Sequence, residues 1–247
     1  MDMDLADLAT LPALGLVVPP ANPTVEPEMA RLIASGARLF ASRLPVMPDT
    51  TLEERNRAYI AAYEPALKSF GSLRLAAATI ALTGPSYRFG AAEDTALAAR
   101  LTQAAGFPVE TASGAIRGAL GAIGARRICL FSPYPAWLTD EAAGYWAGAG
   151  YEVAQVVKVS ETFRAYELTT QEVEEALAQV QTGGIDAIVM SGTGMITLPA
   201  MAARRDRSGP PLLSSNICCA WWLMKTAGVR PGALFARACP QLAASLG

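Results

Sequence analysis

Hydroxyl, amide and glycine residues gather in short segments of this chain. They are Pro20-Ala21-Asn22, Thr83-Gly84-Pro85-Ser86, Tyr134, Ser191-Gly192-Thr193-Gly194 and Ser214-Ser215-Asn216. Backbone N–H groups left open in such turns, joined by Ser and Thr hydroxyls, make sites for anions. The anion such a set suits is a small carboxylate. No G-x-x-x-x-G-K-[ST] occurs, and no G-x-G-x-x-G follows the first apolar run, which disfavours nucleotide phosphates. Taken singly, each segment also reads as an ordinary N-cap or turn. Five of them in corresponding places favour a site.

The sequence contains no His. That excludes a Ser-His-Asp triad, a Cys-His pair, His-ligated zinc and His-ligated haem. Proton transfer falls to Cys, Tyr, Lys, Asp, Glu, backbone groups or water. The four Cys, at 129, 218, 219 and 239, form no C-x-x-C pair and no zinc spacing. They are too few for a disulfide scaffold and read as small buried apolar residues.

The elements that position these segments alternate. Candidate strands are Leu14–Val18, Arg38–Leu44, Leu75–Leu82, Val109–Thr111, Arg127–Phe131, Glu152–Val159, Ala187–Met190 and Pro211–Leu213. Candidate helices are Glu26–Ser35, Leu52–Phe70, Ala91–Ala105, Gly114–Ile123, Thr139–Ala149, Thr170–Thr182, Pro199–Arg204 and Ile217–Ala227. Strands alternating with helices predict βαβ units and parallel sheets, an α/β fold. Asp140 and Glu141 are expected in the first turn of their helix.

The two halves resemble each other. The run from Leu14 to Leu39 aligns without gaps on the run from Ile128 to Val153, setting Pro19 on Pro133 and Gly36 on Gly150. Further on, Thr83-Gly84 falls on Thr193-Gly194, and the stretch from Phe107 falls on that from Pro210. The expectation is two pseudo-twofold-related lobes, each a parallel four-stranded sheet flanked by helices. The lobes would be 13–115, completed by the C-terminal helix region, and 116–230, with a tail at 231–247. Ligands of open parallel sheets bind beyond the carboxyl ends of the strands, so one cleft between the lobes is the expected site.

Hydrophobic residues make up 52% of the 247 and charged residues 17%, so the chain has the means to bury a core. A net charge of −2 with no basic block argues against nucleic acid. Uncharged stretches at 9–25 and 208–224 are broken by Pro and polar residues and do not read as membrane spans. The start, MDMDLAD, is acidic where a signal peptide carries positive charge. A soluble, cytoplasmic protein without a membrane partner is expected.

The motifs VVPPANPTVEPEM (Val17–Met29), ALTGPSYRFG (Ala81–Gly90), SPYP (Ser132–Pro135), SGTGMITLPAM (Ser191–Met201) and LLSSNICCAWWLMKTAG (Leu212–Gly228) resemble the aspartate/glutamate racemase superfamily. They are closest to its branch of maleate cis–trans isomerases and arylmalonate decarboxylases. The resemblance implies two lobes enclosing the site, no metal and no organic cofactor, a small carboxylate substrate, and a homodimer or larger homo-oligomer. It implies substrate-binding roles for Asn22, Thr83, Gly84, Gly192, Thr193, Gly194 and Asn216, and a substrate-facing hydroxyl at Tyr134. Such donors would stabilise an enediolate-like intermediate.

Relatives carry catalytic cysteines in one or both turns, and here Leu82 and Gly192 stand in those places. The resemblance therefore implies an isomerase- or decarboxylase-like enzyme that finds another proton donor, or a non-catalytic carboxylate binder. Tyr134 and Cys218 are the candidate donors, Cys218 because a helix N-terminus lowers a thiol pKa. Tyr87 and Arg88 are further candidates. Leu82 is expected to crowd one face of the substrate, and Gly192 to leave room on the other.

Overall fold

The computed structural model describes residues 5–203 and 209–246. The first half runs β1 (Ala13–Val18), α1 (Val25–Ile33), β2 (Arg38–Arg43), α2 (Leu52–Lys68), β3 (Leu75–Ile80), α3 (Gly84–Ala105), β4 (Val109–Thr111) and α4 (Ala112–Ala122). The second runs β5 (Arg127–Ser132), α5 (Ala136–Gly148), β6 (Glu152–Lys158), α6 (Thr170–Leu177), β7 (Ala187–Met190), α7 (Leu198–Ala203), β8 (Leu212–Ser214) and α8 (Ser215–Ala227). Two short helices follow, α9 (Ala233–Ala238) and α10 (Pro240–Ala244).

Each half builds one fully parallel four-stranded sheet. The orders are β2-β1-β3-β4 and β6-β5-β7-β8. Equivalent strands occupy equivalent places, as the internal repeat requires: β1 and β5 both lie between their next two strands in sequence. The central strands β1 and β7 carry no polar side chain and are buried at every residue. That is the pattern of a parallel strand covered on both faces.

The repeat extends to the helix caps. Thr51 and Thr169 each form a capping box, with Glu54 and Glu172, at the starts of α2 and α6. Thr111 caps α4 through the Gly114 N–H, and Ser214 caps α8 through the Ile217 N–H. These equivalent stops fix where each chain segment leaves its sheet.

The lobes join through packed helices. α4 lies against α8, and α3 against α5. Gly118 of α4 admits the Trp221 ring of α8, since a Cβ there would stand 3.1 Å from it. α8 also packs on β3 of the first sheet. Phe235 and Leu242 of α9 and α10 are fully buried in the same core.

Several helices start earlier than expected. α3 begins at Gly84 rather than Ala91, and Gly90, at φ 83° and ψ 169°, breaks it into two pieces. The expected start matches the second piece. α5 begins at Ala136, so Asp140 and Glu141 lie beyond its first turn. α6 ends at Leu177. Residues 1–4, in the acidic start of the chain, and Arg204, the expected end of α7, lie outside the described residues. Among the described residues no helix is long and apolar enough to cross a membrane.

Candidate active site

A cavity of about 370 Å³ opens where the carboxyl ends of both sheets meet. The turns after β3 and β7 face each other across it. Leu82, Thr83, Gly84 and Pro85 come from the first lobe, and Gly192, Thr193 and Gly194 from the second. Pro20, after β1, and Tyr134, after β5, occupy matching positions in the repeat and both line it.

Thr83 is the N-cap of α3, yet its side chain makes no cap bond. Its hydroxyl instead lies 2.7 Å from the Tyr134 hydroxyl. Pro85 has no N–H and the Ser86 N–H donates to the Thr83 carbonyl at 3.1 Å, so among the described residues the Thr83 and Gly84 N–H groups are the ones left open toward a ligand. The second turn is held mainly from the opposite lobe, with Asn216 of its own lobe adding one bond. The Thr193 hydroxyl donates to the Ala81 carbonyl at 2.7 Å and accepts from Asn22 Nδ2 at 3.1 Å. Thr24 Oγ1 donates to the Gly194 carbonyl at 2.7 Å, and Asn216 Nδ2 to the Thr193 carbonyl at 3.1 Å. Among the described residues nothing accepts from the N–H groups of Gly192, Thr193 and Gly194. Carbonyls and hydroxyl are tied back while the N–H groups stay free, which is the polarity an anion needs.

Behind this turn sits Glu28, a buried carboxylate of α1. Its Oε1 accepts from the N–H groups of Thr197 and Leu198 at 2.8 and 2.7 Å, and its Oε2 from Asn216 Nδ2 at 2.8 Å. Burial raises its carboxyl above the ordinary range, against those hydrogen bonds, which pull it down. Glu28 thereby links the first lobe to the start of α7 and, through Asn216, to Thr193.

Tyr134 is buried, and burial pushes its hydroxyl well above the ordinary phenol range, so it keeps its proton near neutral pH. Its ring stacks on Phe163 at 6.2 Å. Tyr87 stands one layer deeper, its hydroxyl 2.6 Å from Ser191 Oγ, and burial pushes it up to about 12. Tyr87 and Arg88 do not line the cavity. Arg88 pairs with Glu53 and Glu141 instead.

Of the sequence-predicted residues, Thr83, Gly84, Tyr134, Gly192, Thr193 and Gly194 share the cavity wall. Asn22 and Asn216 do not reach the wall and bear on it through Thr193. Cys218 is not brought to the cavity. It is fully buried beside Cys219, near Cys239, away from the cavity. Burial there pushes its thiol well up, which outweighs the helix N-terminus. No cysteine lines the cavity among the described residues, and none of their His, Cys, Asp and Glu groups could hold a metal ion.

Gly192 also departs from expectation. It leaves no room: φ is +84°, and a Cβ would stand 2.8 Å from Pro133 Cγ and 3.3 Å from the Tyr134 hydroxyl. Gly192→Cys is expected to lose about 1–3 kcal/mol of stability through backbone strain. Denaturant melts check this, and Gly192→Ala should lose a similar amount. A Cys variant as stable as the parent would contradict the conformation.

Sequence reasoning missed the outer half of the cavity. Arg55, Asn56 and Tyr59 of α2 line it, as do Phe163 and Tyr166 in the loop after β6. The strand-end rule held the signal, because β2 and β6 point their carboxyl ends the same way as their neighbours.

The arylmalonate decarboxylase family model matches residues 14–236. The chain is 30% identical to the arylmalonate decarboxylase of Bordetella bronchiseptica over 250 residues, covering 91% of this chain and 95% of that one. Its fold matches the maleate isomerase Iso of Pseudomonas putida S16 with a TM-score of 0.84 at 19% identity, over 95% of this chain and 99% of the other. It also matches a serine variant of the Nocardia farcinica maleate cis–trans isomerase that carries a covalently bound succinylcysteine intermediate. There the TM-score is 0.78 at 22% identity, over 91% and 98% of the two chains. With that family match running from β1 into α9, across both lobes and the cavity between them, the chain belongs to the arylmalonate decarboxylase family.

Proposed function

We propose that the protein is an enzyme acting on a small carboxylic or dicarboxylic acid, by decarboxylation or isomerisation, without a cofactor. The observation that carries this reading is the pair of equivalent Thr-Gly turns, one from each lobe, with free N–H groups facing one cavity. In decarboxylation the bond to the departing carboxylate breaks, carbon dioxide leaves, and the electron pair passes into an enediolate on the remaining carboxylate. Fixed donors at those oxygens stabilise the charge as it develops. Tyr134 then returns a proton to the α-carbon and recovers one from water. Its neutral hydroxyl, held by Thr83, supports that role. The relatives named above support the reaction class.

The Nocardia isomerase carries its intermediate on a cysteine, whereas the lining here has none. The proposed chemistry therefore forms no thiol adduct. Asn22 and Asn216 act in it by holding Thr193 in place. The same missing thiol favours a second reading, a carboxylate-binding paralogue without turnover. Proton NMR of aryl- and alkenylmalonates, and of maleate, separates the two. Loss of carbon dioxide or cis–trans change is expected with at least one of these. Saturable binding with no turnover of any would support the binder instead. A cytoplasmic homodimer or larger assembly completes the reading, and light scattering measures its size.

A further inference from the structure

The wall that α2 contributes has no part in the chemistry just proposed. Arg55 and Asn56 are consecutive on that helix, and both line the cavity. Arg55 is the only charged side chain among the described lining residues. Among the described residues no carboxylate pairs with it. Its acidic neighbours on the helix are engaged elsewhere. Glu53 pairs with Arg57 and Arg88, and Glu54 closes the capping box at Thr51. The groups that feel its charge are the hydroxyls of Tyr59 and Tyr166, which also line the cavity.

Asn56 is 4% exposed, and its Nδ2 has no hydrogen-bond partner. That amide lies against the first anion turn, since a Cβ on Gly84 would stand 2.8 Å from it. A buried amide donor without an acceptor is uncommon and destabilising, and a ligand oxygen is what would satisfy it. An unpaired guanidinium and an unpaired amide, on adjacent residues of one wall, make a donor set with no acceptor in the protein.

We propose that Arg55 and Asn56 form a second anion subsite in this cavity, which takes the far carboxylate of a diacid. One carboxylate lies on the free N–H groups of the paired turns, and the other on α2. This rests on the reading of the paired turns as a carboxylate site. Arg55 presents a planar fork suited to a carboxylate, and the amide of Asn56 adds a neutral donor beside it.

The test compares succinate with butyrate, two acids of equal chain length that differ in one carboxylate, by titration calorimetry on the whole protein. Wild type is expected to bind succinate about tenfold or more tighter than butyrate. Arg55→Met and Asn56→Leu should each abolish most of that preference while leaving butyrate affinity within about twofold, and Arg55→Lys should keep part of it. Arg55 is partly exposed on a helix, so its variants test the idea even if Asn56→Leu fails to fold. Equal binding of the two acids by wild type overturns this inference and leaves the paired turns standing. A preference that survives in Arg55→Met overturns it as well. Failure of both acids to bind at tens of millimolar overturns the carboxylate site itself, and this inference with it.

Discussion

Tyr134→Phe is expected to lower kcat about 10²–10⁴-fold, the usual contribution of a positioned general acid. The effect should fall on kcat and leave KM within about threefold, because the N–H groups that hold the ground-state carboxylate are untouched. Phe keeps the ring that stacks on Phe163, so packing is preserved and only the hydroxyl is lost. Thr83 then loses its partner at 2.7 Å but stays at the cavity surface. Tyr87→Phe supplies the control. Its hydroxyl bonds Ser191 one layer behind the wall, so its loss should slow turnover far less. Steady-state kinetics on whichever acid turns over measures both. Wild-type kcat in the Tyr134 variant would remove that residue from the proton path.

Glu28→Ala carries the largest expected effect on stability. The substitution strands three buried donors, the N–H groups of Thr197 and Leu198 and the Asn216 amide. Each buried donor without a partner costs about 1–3 kcal/mol, so a loss of about 3 kcal/mol or more is expected. For a chain of this size that corresponds to a thermal midpoint lower by about 6–12 °C. Glu28→Gln should fall between. All the groups that face Glu28 are donors or hydroxyl, so a Gln NH2 meets a donor wherever it points. The consequence reaches the cavity, because Asn216 also holds the Thr193 carbonyl. Calorimetric melting of the three proteins decides this, and an Ala variant as stable as wild type would show that Glu28 does not tie the lobes together.

Much of this was legible in the sequence. All eight strands were readable, because short apolar runs bounded by Gly, Pro and polar turns leave little freedom in a parallel sheet. The repeat predicts the matching strand orders, and it sets Thr83-Gly84 in correspondence with Thr193-Gly194. What stayed hidden were properties of depth. Cys218 lies in the first turns of α8, where the sequence alone argues for a reactive thiol, but only packing reveals that α8 runs through the core. Gly192 reads as empty space in one dimension, whereas in three its vacant side faces Pro133. Glu28 looks like any first-turn acid of an amphipathic helix, and its partners lie far away along the chain in α7 and α8. Arg55 and Asn56 sit in a charged, polar stretch of α2 that carries no motif.

Turnover in deuterated water after native treatment with iodoacetamide shows whether the proposed conversion in this cavity needs a thiol. Phenylmalonate is the first substrate to try, with maleate beside it. All four cysteines are buried and outside the cavity wall, so the reagent should leave them unmodified by mass spectrometry. A thiol-free reaction should keep an unchanged rate and, for decarboxylation, place one deuterium at the α-carbon of the product. Activity that disappears in step with alkylation of a cysteine would contradict it.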